Sequence, residues 1–414
     1  MNIYQLTAFG ACALVGGVLL VTTSLADLHS SNGAEPHTPV TKRSPAGLVF
    51  SCSAQQLQQI KPAVDSYLSG EGVDLGLVQT IVDAQAHTLQ YTLAKPFADA
   101  ITLDLVDRPA LHIKEALVEL PTADGSPRTV ITVSKAEILY AMLQAGRTTV
   151  FDGKACNAQA LIDQIGIRQN TVAWAESLSW RWPEGGPAAW NKKYWRDGDP
   201  VKGYPLHEAI NDAFINQDLY AIGCYTATKL VVIQGVLDYY ERIQPNAHML
   251  ELVQNQLLQD QDPLSHIEPG VMWHFEADHK EADRARPGKL LALKNGIAPK
   301  NFIPGDWAYF LNTDPVTYEK TGYEGSNALY LGRGKFDDYY NDHHHAYTYK
   351  EKMHEVYQWR NKVFSSRRDV AKVRPLTATD FEKLAGTPEQ GGIQMDYRAV
   401  PLLFGFQSLP SIGH

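Results

Sequence analysis

The sequence predicts an α+β protein, with a catalytic half preceded by an accessory α/β region. Three observations carry that expectation. An apolar helix pattern opening at Cys224 is followed by β-like runs in succession, rather than by alternating helices and strands. Residues 47–146 mix helix and strand patterns of their own. The chain, 414 residues and 44% hydrophobic, is long enough to bury two cores or one large one. The expected division is an export segment (1–26), a linker (27–46), an accessory domain (47–150), a catalytic domain (151–370) and a C-terminal extension (371–414).

Leu6 to Leu25 carry no charge and end in Ser24-Leu25-Ala26, a small-x-small pattern suited to signal peptidase. A membrane anchor is the rival reading, since about 20 apolar residues also span a bilayer. Either sends the remainder across a membrane, to periplasm or exterior. Residues 27–46 are polar and rich in Ser and Pro, a linker composition. With Cys12 in the apolar run, Cys52 and Cys156 are candidates for a disulfide in an oxidising compartment. Cys224 remains as the odd thiol, either reactive or buried.

In the accessory region, Pro127 to Val133 reads as a strand by its β-branched content. Ser134-Lys135-Ala136-Glu137 reads as a capping box opening a helix through Leu143. A further helix is expected over Leu161–Leu178. Trp180, Trp182, Trp190 and Trp195 follow within a short span; they suit either core anchors or, with Tyr220, the aromatic wall of a substrate cleft. A long helix is expected from Cys224 to about Arg242. Strands are expected at 271–275, 307–311, 328–331 and 343–349, then a short capped helix from Thr379 and a Pro- and Gly-rich tail.

The net charge of −9 and the lack of a basic run exclude a nucleic-acid surface. The chemical signal lies at Gly223-Cys224. Glycine permits a tight turn there, and the thiol then falls in the first turn of an apolar helix. Unpaired N–H groups and the helix dipole favour a thiolate at that position, and the same N–H groups can hold the oxyanion of acyl transfer. The competing reading is a small buried hydrophobe.

Tyr220-Ala221-x-x-Cys224-x-Thr226-Ala227 resembles the nucleophile segment of the spore-coat type of bacterial protein-glutamine γ-glutamyltransferase. In the same order, Trp273-His274-Phe275-Glu276, Gly305-Asp306-Trp307-Ala308-Tyr309-Phe310 and Gly325-Ser326-Asn327-Ala328-Leu329-Tyr330-Leu331-Gly332-x-Gly334-Lys335-Phe336 are similar to later segments of that family. The likeness covers roughly residues 155–365. It implies an NlpC-type, papain-like core with the nucleophile at a helix N-terminus against an antiparallel sheet. It also implies a thioester on Cys224, a glutamine carboxamide and an amine as protein substrates, and no metal, calcium or other cofactor.

The chain departs from the family where it has Gly223 and Ser326 in place of glutamates. Glu324, two residues before Ser326, shares its face if the stretch is extended, and is the candidate substitute. The family's histidine after the Gly-x-Gly-Lys turn maps best to His343, with His345 on the same face and Ser326 as an orienting group. Three adjacent histidines alternate faces on a strand and do not suit one metal ion; His274 to His279 reads as a solvated strand end. Three functions fit these residues: a transglutaminase, a related cysteine amidohydrolase (deamidase or envelope peptidase), and a silent envelope binding module.

Overall fold

The computed structural model describes residues 47–94, 109–144, 148–183, 187–196, 198–259, 291–295, 302–311, 325–341, 346–349, 351–352, 356, 377–379 and 394–401. Residues 45–414 cluster as one compact unit, so the accessory and catalytic regions are not separate bodies.

The accessory region begins with β1 (Gly47–Ser51) and α1 (Ala54–Gly70), continues through β2 (Val78–Asp83), β3 (Thr88–Leu93), β4 (Ala116–Leu120) and β5 (Arg128–Thr132), and closes with α2 (Lys135–Leu143) and β6 (Thr148–Asp152). Ser53 and Gln56 form a reciprocal capping box at the start of α1. Leu57, Ile60, Val64 and Leu68 recur at helical spacing and are its buried face. A four-stranded sheet runs β2-β3-β1-β6, with β1 and β6 parallel. Cys52, just after β1, is bonded to Cys156, just after β6, with Cα atoms 5.9 Å apart. The expected helix from Lys135 forms with Ser134 as its cap. The second half of the expected box goes elsewhere: Glu137 Oε1 accepts a hydrogen bond from the Arg333 backbone N–H at 2.7 Å.

The catalytic region opens with α3 (Ala158–Glu176). Two short strands, β7 (Trp195–Arg196) and β8 (Asp199–Pro200), precede α4 (Leu206–Ile215), α5 (Cys224–Asp238) and α6 (Ala247–Gln259). Then come β9 (Leu291–Asn295), β10 (Trp307–Leu311), β11 (Gly325–Gly332), β12 (Lys335–Asp337), β13 (Ala346–Thr348) and β14 (Gln394–Pro401). These six strands form one sheet in the order β13-β12-β11-β10-β14-β9, every pair antiparallel. Helices first and an antiparallel sheet after is the expected α+β arrangement.

Two expectations shift. Residues 394–401, set apart by their sequence as part of an extension, supply β14 inside the sheet between β10 and β9. Ala378 and Thr379 are already helical, so the last helix opens before Thr379. The expected strand at 271–275 lies outside the described residues, as do residues 1–46.

Neither α3 nor α5 is amphipathic; both are buried nearly all round, the mark of central helices. They cross closely because α5 carries Gly235 where a Cβ would overlap the Thr171 side chain, and α3 carries Gly166 against the Tyr239 ring. Beside that crossing, Asp238 accepts from Asn170 Nδ2, Trp174 Nε1 and the Arg242 guanidinium.

A fully buried ion pair joins α3 to the sheet. Arg168 donates to Asp306 Oδ1 at 2.8 Å and to the Pro304 carbonyl at 2.9 Å, and both side chains have no exposed surface. Asp306 Oδ2 accepts from the Ile303 N–H at 2.9 Å, closing the turn that starts β10. Gly305 occupies that turn at φ 88°, where a side chain is disfavoured. Replacing Arg168 by Met leaves the Asp306 carboxylate buried without its cation, a loss of about 3–5 kcal/mol. Urea unfolding of Arg168→Met is expected to show that loss. A change under about 1 kcal/mol would mean the pair does not anchor the turn.

Candidate active site

Residues 220–222 are fixed before the helix begins. Ala221 exchanges two backbone hydrogen bonds with Ala189, at 2.8 and 3.1 Å, and Ile222 N–H donates to the Arg181 carbonyl at 3.3 Å. Tyr340 closes the segment from the sheet side, donating through its hydroxyl to the Ile222 carbonyl at 2.8 Å. Gly223 is the N-cap of α5, with extended backbone and no side-chain cap. The first intrahelical bond runs from Ala227 N–H to the Gly223 carbonyl at 2.9 Å. The N–H groups of Cys224, Tyr225 and Thr226 therefore precede the helical ladder and form its positive end.

Cys224 is the one free cysteine among the described residues, and it is partly exposed. It is not sealed within apolar packing. Asn327 on β11 places Nδ2 3.4 Å from Cys224 Sγ, and its Oδ1 accepts from Trp307 Nε1 at 2.9 Å. Trp307 also meets the Tyr225 ring, 5.5 Å between centroids. Lys229, one turn further along α5, lies over the same ring: its Nζ sits 4.3 Å from the Tyr225 ring centroid.

Tyr339 forms the floor beneath this turn. Its hydroxyl lies 3.0 Å from Thr228 Oγ1, and Thr228 donates to the Cys224 carbonyl at 2.8 Å. Tyr339 holds φ 78°, a conformation that costs a non-glycine residue energy. Two hydrogen bonds maintain it: its N–H donates to Asp337 Oδ1 at 2.8 Å, and its carbonyl accepts from Trp180 N–H at 3.0 Å. Burial pushes the phenol well above its ordinary pKa; the Thr228 hydrogen bond opposes this, while Asp337, Cys224 and Asp338 add to it. Asp337 is likewise raised well above the carboxylate range, chiefly by burial. Its neighbour Asp338 is paired with the buried Lys352.

The structure separates the expected site residues. Trp180 and Tyr220 have no exposed surface and are not cleft walls. Trp180 donates through Nε1 to the Ala213 carbonyl and Tyr220 through its hydroxyl to Asp212, so both anchor α4. Their aromatic mass is spent on packing. Trp182 stays half-buried, with its ring against Tyr340 at 5.0 Å. Ser326 is also corrected. Asn327 faces Cys224, and successive strand residues point to opposite faces, so Ser326 points away from the thiol. Glu324, His343 and His345 lie outside the described residues, as does Trp273 to Glu276. Asn327, Tyr339 and Thr228 were missed. Strand parity flags Asn327 once Cys224 is set against β11; nothing in the sequence marks Thr228.

Fold and site together define an α+β scaffold that presents a partly exposed free thiol at a helix N-terminus beside an antiparallel sheet. Residues 122–386, well over half of the chain, match the family model for protein-glutamine gamma-glutamyltransferase. The chain belongs to that family. Curated relatives named protein-glutamine gamma-glutamyltransferase include those of Bacillus cereus (strain B4264) and Bacillus anthracis (strain CDC 684 / NRRL 3495). Each is 28% identical over 149 residues, 34% of this chain and 42% of the relative. The matched part thus spans less than half the length of those relatives. A solved transglutaminase from Geobacillus stearothermophilus (without C-terminal extension) aligns with 62% of this chain and all of its own. Its identity is 19% and its TM-score 0.37.

The raised Asp337 gives a pH signature. An acid whose folded pKa exceeds its unfolded one holds an extra proton in the native state, so stability falls as pH rises. The fall begins near the ordinary value of 3.8 and ends at the raised folded value. Asp337→Asn keeps an acceptor for the Tyr339 N–H but cannot ionise. Its unfolding free energy is expected to decline less than the wild type's between pH 4 and neutrality. Parallel profiles would show that Asp337 is ionised in the fold.

Proposed function

We propose that this protein transfers the γ-acyl group of a glutamine carboxamide to a primary amine, a lysine side chain among them, through a thioester on Cys224. The observation that carries the reading is the Cys224 thiol at the positive end of α5, partly exposed and beside the Asn327 amide, within the family-matched region. The thiolate attacks the carboxamide carbon, and the N–H groups of the first turn stand where the oxyanion forms. The tetrahedral intermediate collapses by expelling ammonia, which takes a proton as it leaves. The amine then attacks the thioester, loses a proton, and returns the thiolate.

His343 is proposed as the group that carries these protons, with Glu324 orienting it and His345 as the alternative. Trp182 is the aromatic candidate for the substrate side of the cleft. The chemistry requires no cofactor. With a Gln substrate and a primary amine, the wild type is expected to release ammonia and incorporate amine, and Cys224→Ala to fall by roughly 10⁴-fold or more. His343→Ala is expected to lose about 10²–10⁴-fold while His345→Ala keeps most activity. Ammonia without incorporation would make the protein a hydrolase; equal activity in both histidine variants would remove the imidazole step.

Export is the proposed setting, with the N-terminal segment as a signal or anchor. The Cys52–Cys156 bond supports it, because such bonds persist in oxidising compartments. Fractionation is expected to find the protein beyond the inner membrane with these cysteines oxidised. A cytosolic chain with both thiols reduced would overturn the assignment.

A further inference from the structure

We propose that Asn327 is a positioning and charge-stabilising residue for the nucleophile: its side-chain amide donates a hydrogen bond to Cys224 Sγ, and Trp307 holds it in that orientation. The inference rests on Cys224 acting through its thiolate, as proposed above.

An asparagine side chain has two ends, a carbonyl that accepts and an NH₂ that donates, and which end faces a partner decides its chemistry. Here the indole of Trp307 decides it. Indole N–H can only donate, so the group 2.9 Å away must be the amide oxygen. The NH₂ end is thereby turned toward Cys224 Sγ at 3.4 Å, within reach of an N–H···S bond. Asn327 is 6% exposed and Trp307 1%, so water does not compete strongly for either end. Trp307 is itself fixed as the residue after Asp306, whose carboxylate is bound by Arg168, and by its ring contact with Tyr225.

A donor aimed at sulfur favours the thiolate over the thiol, because the charged acceptor makes the stronger bond. It also fixes the direction in which the sulfur's remaining lone pairs point. Among the described residues, the other charged and titratable groups near the turn are Tyr339 and Asp337 below it, Asp338 and Lys352 beyond them, and Tyr225 and Lys229 on α5. All of these stay in place when Asn327 alone is changed, so variant-to-wild-type differences isolate the amide.

The test follows iodoacetamide alkylation of the Cys224 peptide by mass spectrometry as a function of pH, which separates it from Cys12. The full-length protein is used throughout. Asn327→Ala is expected to move the half-point of the profile upward by about one pH unit. Asn327→Asp is expected to move it further, because Trp307 holds one carboxylate oxygen and the other then faces the sulfur. Trp307→Phe keeps an aromatic ring but frees the amide to turn, and is expected to shift the half-point in the same direction by less. Thermal melts check folding; if an Asn327 variant is unfolded, Trp307→Phe decides. Half-points within about 0.3 unit of wild type in the folded variants overturn the proposal. Failure of the acyl-transfer reading looks different: the wild type would then release no ammonia while the alkylation shifts persisted.

Discussion

The buried pair between Arg168 and Asp306 is the constraint on which the site depends. Two fully buried charges are expensive to desolvate, and their attraction compensates only with good geometry and further hydrogen bonds. Two such bonds are present: Arg168 Nη1 also donates to the Pro304 carbonyl, and Ile303 N–H satisfies the other carboxylate oxygen. What the pair secures is position. Asp306 is the residue before Trp307, Trp307 orients Asn327, and Asn327 meets Cys224. Central helix, sheet and thiol are thus tied through three hydrogen bonds and the peptide link between Asp306 and Trp307.

The rest of the frame reaches the same point from other directions. The β11–β12 turn is held by the accessory region, where Glu137 accepts from Arg333 N–H and Glu115 pairs with the Arg333 guanidinium, and by Glu176 at the end of α3, which pairs with the same guanidinium. Arg242, just past the end of α5, donates to the Glu119 carbonyl on β4, and Arg128 on β5 donates to the Ser177 carbonyl after α3. A region so bonded to the back of the helices and to the hairpin turn acts as a buttress. Its disulfide closes a separation of 104 residues, and a loop of that size restricts the unfolded chain by about 4.7 kcal/mol in the chain-entropy description.

Cys224 at the helix start was legible because glycine, thiol and apolar helix are neighbours in sequence, where local rules apply. The strands expected at 307–311 and 328–331 were legible for the same reason, through short aromatic and aliphatic runs with Gly and Asn between them, although β11 begins earlier, at Gly325. What sequence hid was non-local. Trp180 and Tyr220 have the composition of a cleft wall, and only the position of α4 shows that their polar ends serve its carbonyl and carboxylate. Ser326 was aligned by motif, yet a strand's alternation turns one neighbour toward the helix and the other away, and the sequence does not say which. Residues 394–401 were hidden by their Pro- and Gly-rich surroundings, although they pair with β10 and β9.

The residues that adjoin the Cys224 thiol share an electrostatic sense. A carboxylate about 4 Å from a thiolate opposes it by about 4 kcal/mol at an effective dielectric near 20. Here the residue before Cys224 is glycine and the strand residue at its sulfur is an amide, so neither imposes that repulsion. Of the acids near the thiol among the described residues, Asp337 is driven toward its protonated form by burial, and Asp338 is matched by Lys352. A thiol in such surroundings needs less help to lose its proton than one flanked by carboxylates. On the proposed mechanism, the demand on a partner base shifts accordingly, from creating the thiolate toward delivering a proton to the departing ammonia.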